Sequence, residues 1–206
     1  PASHGRPRGP FLAALVAFGA APATGQVFGK NKVQYEPLDW SVLETPHLRL
    51  HYYAQEESLA RRLAPVAESV CVEYGHRFRL ASRRPVPFLL YSAHHVFQQT
   101  NATPGLISEG TGGLTELIKG RVLLPHNGSW HRLVWVTRHE LTHSYMLEKL
   151  AQVMKANHRT QHYLPPLWFI EGLAEFCGTT WDADAEGLLR DAVLSGRALP
   201  LTRSGP

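Results

Sequence analysis

The order of elements along the chain predicts an α+β fold: a small mixed β-sheet with one long helix against it, then a helical C-terminal part. Three observations lead there. His47-Leu48-Arg49-Leu50-His51-Tyr52-Tyr53 alternates polar and apolar residues, the two-residue period of a strand with one buried face. Pro85 to Tyr91 (PVPFLLY) is a short apolar run, as a more buried strand requires. From Trp130 onward the apolar period changes to three and four residues and stays there through two further segments.

Residues 26–46 are turn-rich and are expected to be irregular. After the first strand, Leu59, Leu63, Val66, Val70 and Tyr74 recur at helical spacing, which predicts an amphipathic helix across about 55–80. Residues 100–113, rich in Gly, Thr and Ser, read as a loop. Gly113 to Pro125 reads as a hairpin with Arg121-Val122-Leu123-Leu124 as its second strand. Leu133, Val134, Val136, Leu141, Tyr145, Met146 and Leu150 give a helix from Trp130 to about Leu150, followed by a polar linker near 155–163. Pro165-Pro166 can open the next helix, which runs to about Cys177 with Gly178 as its cap. Asp182 to Leu194 is a further amphipathic helix.

The 206 residues, 44% of them hydrophobic, suffice for one domain with a real core. Net charge is +4, and Arg6 and Arg8 supply two of those positives within the first ten residues. With no extended basic block elsewhere, a nucleic-acid partner is not indicated. Residues 1–25 read as a signal peptide: Arg6 and Arg8, then the apolar run Phe11 to Ala21, then Ala21-Pro22-Ala23 as a cleavage site. That run is short for a bilayer span. The expectation is an exported protein, periplasmic or extracellular, with residues 26–206 as the functional domain. Lacking an initial Met and closing on Leu201-Thr202-Arg203-Ser204-Gly205-Pro206, the chain is expected to be part of a longer protein. Cys71 and Cys177 lie far apart and outside any C-x-x-C pair, so thiolate-held zinc is not expected; they are either partners in a disulfide in an oxidising compartment or two small buried residues, the second being the preferred reading.

Twelve histidines are the compositional anomaly. His139 and His143 stand four residues apart in an apolar helical segment (VWVTRHELTHSYML). At about 100° per residue and 1.5 Å rise they share a face, about 6 Å apart along the axis, and can converge on one zinc ion. Glu140 is turned about 100° from His139, poorly placed as a ligand but well placed to take a proton from a water at the metal. His139-Glu140-Leu141-Thr142-His143 is thus an H-E-x-x-H arrangement with a mechanism behind it. Two histidines and a glutamate in an apolar helix are costly without partners, which favours a metal over a solvated surface helix.

Catalytic zinc usually keeps three protein ligands and one open position. No histidine stands six residues beyond the pair; Lys149 occupies that place. Downstream, Glu171 and Glu175 share one face of the helix Leu167–Cys177. Glu171 is the candidate third ligand, with Asp182 as its rival. Glu175 is the candidate acceptor for the free ring N–H of a ligating histidine. His94, His95, His126 and His131 read as loop and cap residues. Tyr145, His162 and Tyr163 are candidate donors to a tetrahedral intermediate, and nothing selects among them.

H-E-x-x-H followed by W-x-x-E-G-x-A-E resembles the gluzincin metallopeptidases, thermolysin-like and aminopeptidase-like. The resemblance implies a zincin-like fold and one zinc ion held by His139, His143 and Glu171, with Glu140 as base and Glu175 in support. It implies hydrolysis of peptide or protein substrates. FGKNKVQY, FLLYSAHHVFQQTN, GLISEGTGGLTELIKGRVLLP and RHELTHSYM further resemble exported peptidase MA-like metallohydrolases, which often continue into a Tol-type β-propeller. Envelope association through such a domain is therefore expected. In gluzincins the strand before the zinc helix pairs with extended peptide, a role that would fall to Arg121, Val122, Leu123 and Leu124 through a free edge. The departures are a long gap between His143 and Glu171, which makes 150–165 an insertion, and the absence of the aminopeptidase G-x-M-E-N element. Glu116 in Gly112-Gly113-Leu114-Thr115-Glu116 falls in a similar region, although on its own it reads as a solvated hairpin residue. The competing readings are a zincin-fold scaffold that keeps zinc without turnover, and a structural zinc with four protein ligands.

Overall fold

The alternating stretch becomes strand β2 (Leu48–Tyr53), and the apolar run becomes β3 (Val86–Tyr91). Between them, after a 3-10 turn, lies helix α1 (Glu57–Phe78), which turns Leu63, Val70, Cys71 and Tyr74 onto the sheet. The computed structural model describes Lys32, Tyr35 and residues 38–80, 84–103, 105–116, 119–158 and 164–198. The remaining elements are β1 (Trp40–Glu44), α2 (His94–Phe97), β4 (Leu114–Glu116), β5 (Arg121–Pro125), α3 (Trp130–Ala156), α4 (Leu167–Gly178) and α5 (Ala183–Leu194). The described residues therefore form a mixed α/β arrangement of one five-stranded sheet and five α-helices.

Strand order is β1-β2-β3-β5-β4, with β2, β3 and β5 parallel and the two edge strands antiparallel to their neighbours. Alternation along the parallel strands makes two cores. Leu50, Phe88, Leu90, Val122 and Leu124 face α1 and α3. Tyr53, Tyr91 and Leu123 face the other way, where Phe97 of α2 and Ile107 of the following loop cover them.

Three expectations are corrected. The segment 26–46 contains β1, which periodicity could not show because most of its residues are exposed. β1 is held by main-chain pairing with β2 and by Trp40, whose ring lies 4.6 Å from that of Tyr53. Helix α3 continues to Ala156, into the stretch expected to be linker. Finally, Arg121–Leu124 has no free edge: β5 is paired on both sides, with β3 and β4, and Val122 and Leu123 are fully buried. The edge of the sheet beside α3 belongs to β4. The expected signal peptide, residues 1–25, lies outside the described residues.

α5 follows as an exposed helix with none of its residues buried. No helix among the described residues is long and apolar enough to cross a membrane.

Candidate metal centre

Helix α3 carries the site in its middle turns, capped at its start by the Ser129 hydroxyl, which accepts the Arg132 N–H. Leu133, Val136 and Leu141 anchor one face in the core, which turns His139 and His143 outward on the adjacent face. The Trp135 ring lies 5.5 Å from that of His139 and walls the site on the N-terminal side.

Helix α4 brings the acids. Glu171, Ala174, Glu175 and Gly178 follow one another at helical spacing and face α3. Gly178 allows the approach: a Cβ there would lie 3.4 Å from the His139 backbone nitrogen. The last turn of α4 is tied down through the Cys177 carbonyl, which accepts hydrogen bonds from Tyr74 Oη (2.9 Å) and Arg138 Nη2 (3.2 Å).

Three ligating atoms converge. His139 Nε2 and His143 Nε2 are 3.1 Å apart, and Glu171 Oε2 lies 3.3 Å from the first and 3.6 Å from the second. Three corners of a tetrahedron around zinc, with bonds near 2.0–2.1 Å, are separated by about 3.3 Å. Two imidazoles and a carboxylate are also a zinc-type donor set, so the residues fit the ion. Burial, with the neighbouring His139 ring, holds the His143 imidazole below its ordinary value against the pull of Glu171, so it is neutral and free to ligate near pH 7. Among the described residues no other His, Cys, Asp and Glu side chains converge in this way.

Glu175 reaches the far side of the same ring, its Oε1 3.6 Å from His139 Nδ1. That nitrogen is buried and has no hydrogen-bond partner at normal distance. It needs an acceptor, and Glu175 is the side chain positioned to become one.

Glu140 points toward β4 and is only 6% exposed. Its carboxylate accepts a 2.7 Å hydrogen bond from the Thr115 hydroxyl. Burial pushes the carboxyl up to about 7, the Thr115 bond opposes the rise, and the Glu171 carboxylate adds to it. A divalent cation at the ligand triangle pulls the other way. β4 approaches closely because of Gly113, where a Cβ would stand 2.6 Å from Leu124 Cδ2 and 2.8 Å from both Glu140 Cγ and Val136 Cγ1. A cavity of about 310 Å³ opens over the group, lined by Gly112, Gly113, Leu114, Arg132 and Trp135 together with the site residues. A larger one, about 600 Å³, lies among Arg49, Arg84, Lys119 and Glu148 and includes none of the site residues.

Comparison with protein-family profiles, curated proteins and solved structures finds no match.

The other expected residues fall elsewhere. Asp182 caps α5, accepting the Ala185 N–H at 2.9 Å, and is not part of the ligand group. Glu116 is not solvated: its carboxylate pairs with Arg121 at 2.9 Å, and its side chain is 10% exposed. Tyr145 is buried and donates its hydroxyl hydrogen to the Cys71 carbonyl, which rules it out as a donor in the cavity. His162 and Tyr163 lie outside the described residues. Cys71 and Cys177 are buried and not bonded to each other. Thr115, Gly113 and Arg132 were not singled out by the sequence pattern. Only the paired glycines Gly112-Gly113, where the hairpin begins, signal a strand that can approach its neighbour closely.

Proposed function

We propose that the protein is an exported zinc metallopeptidase of the gluzincin type, with a zincin-like fold, which hydrolyses peptide bonds in peptide or protein substrates. One observation carries the reading: His139, His143 and Glu171 bring their ligating atoms within 4.8 Å of one another, with the buried Glu140 carboxyl alongside. A zinc ion held there supplies Lewis-acid polarisation of a carbonyl and acidifies a water.

The chain's own residues do the rest. Glu140 is the general base: it takes a proton from the water whose oxygen bonds to the scissile carbonyl carbon, and returns it to the nitrogen as the C–N bond breaks. Thr115 holds that carboxylate in place. Glu175, placed beside His139 Nδ1, would accept a hydrogen bond from its N–H and so leave Nε2 free to hold a metal. β4, the terminal strand of the sheet beside α3, offers the main-chain groups of its outer edge to an extended peptide, in the role first expected of Arg121–Leu124.

The test is metal analysis with coordination geometry on the purified protein, alongside Glu140→Gln. Zinc at one ion per chain in both forms, with peptide hydrolysis by the wild type alone, supports the peptidase. Zinc bound by both and no hydrolysis by either identifies a binding module that has kept its metal. A fourth protein ligand identifies a structural site.

A further inference from the structure

Arg132 lines the cavity over the ligand group, and the needs of its own helix do not explain its place. It is the third residue after the Ser129 cap, where the helix dipole favours an acid and where Glu or Gln would complete a reciprocal cap. A cation there is mildly unfavourable. Among the described residues its guanidinium forms no ion pair; it lies over the Trp135 ring, 4.9 Å from the centroid. Its Nη2 stands beside Gly112, close enough that a Cβ there would touch it at 3.4 Å. Stacking fixes the planar fork while leaving its N–H groups uncommitted.

Arg132, Trp135 and His139 follow one another along α3 at helical spacing. The seven residue steps from Arg132 to His139 cover about 10 Å of axis, the reach of roughly three residues of extended peptide. With a divalent cation at the ligand group, Arg132 and the ion carry three positive charges, which Glu140, Glu171 and the neighbouring Glu175 balance. Among the described residues Arg132 is the one Arg or Lys lining the cavity, so an incoming carboxylate meets its positive charge locally.

Resting on the peptidase reading, we infer that Arg132 is a specificity-determining residue: it receives a substrate carboxylate within about three residues of the bond presented to Glu140. That carboxylate belongs either to an acidic side chain or to the C-terminus of a short peptide.

The test offers zinc-loaded protein a set of short peptides, identical except for Glu, Gln or Lys at each successive position, each with a free or an amidated C-terminus. Cleavage is followed by mass spectrometry as kcat/KM. In parallel, zinc-loaded Glu140→Gln protein is titrated with the same peptides by calorimetry, with Arg132 intact or replaced. The wild type is expected to favour one carboxylate-bearing peptide over its uncharged counterpart by roughly tenfold. Arg132→Gln, which keeps a polar stem over Trp135, should bring that ratio close to one in both cleavage and binding. Arg132→Glu should turn the preference toward Lys. Preference for an internal Glu identifies a side chain as the source, and loss on amidation identifies the C-terminus. A preference that survives Arg132→Gln, or its absence from both arms, overturns the inference. If no peptide is cut but binding still discriminates through Arg132, the peptidase reading falls and the carboxylate site stands.

Discussion

Replacing Gly113 by Ala adds one methyl group at the point where β4 meets α3, and the consequences can be worked out from its neighbours. The new carbon would stand 2.6 Å from Leu124 Cδ2 and 2.8 Å from Glu140 Cγ and Val136 Cγ1, all well inside contact distance. None of the three can swing into solvent: Leu124 is fully buried, Val136 is 4% exposed and Glu140 6%. Relief must come from β4 moving off the helix, which stretches the Thr115 bond to Glu140, or from off-rotamer side chains. Overpacking of this kind costs about 1–3 kcal/mol. Gly187, inside α5, is the control, since a Cβ there meets nothing within 4 Å. Gly187→Ala should raise stability by about 0.5–1 kcal/mol through helix propensity. Urea denaturation of both variants measures the opposite signs, and, under the proposed peptidase function, peptide hydrolysis by Gly113→Ala reports whether Glu140 has been displaced. If Gly113→Ala unfolds within about 0.5 kcal/mol of the wild type and keeps its turnover, β4 does not press on α3 as described.

Three other outcomes follow from the site and its surroundings. In EDTA, the Glu140 carboxyl titrates at about 7 in the fold and near the ordinary glutamate value when unfolded, so metal-free stability should fall as pH rises between those values. Metal-free Glu140→Gln should lack that fall and be the more stable form at pH 8, by an amount on the order of 3 kcal/mol; parallel urea curves across pH 4–8 would refute it. Glu175→Ala should weaken zinc binding by roughly 10–100-fold, read by competition with a chromophoric chelator. Glu68 behaves oppositely to Glu140: burial alone would raise its carboxyl, but hydrogen bonds from the Thr45 hydroxyl and from the His47 ring and N–H outweigh it and lower the value. Its contribution is therefore present above the ordinary carboxylate range and lost as pH falls through the depressed value, so Glu68→Gln should flatten the acid limb of stability against pH.

The parallel strands and the helices were legible because each buries a face, and burial writes a period into the sequence. Leu48, Leu50 and Tyr52 mark β2 in this way, and Leu63, Val70 and Tyr74 mark α1. β1 left no such mark because its residues are mostly exposed and its hold is main-chain pairing. The candidate metal group was legible because His139 and His143, and likewise Glu171 and Glu175, stand one helical turn apart in the sequence. What faces them was not: Thr115 meets Glu140 across 25 residues of chain, and strand order decides that meeting. Order also reassigned the free edge from β5 to β4, which no local pattern encodes.

Glu171 and Glu175 ride on α4, while His139 and His143 belong to α3. The two helices are joined at one end by the Cys177 carbonyl, shared between Tyr74 and Arg138. An ion gripped by both helices would make a second fastening, so docking of α4 and capture of the ion become one equilibrium. Affinity for the metal then reads out how firmly α4 is seated, and a change at Tyr74, deep in the core beneath α3, would be felt as a looser grip on zinc.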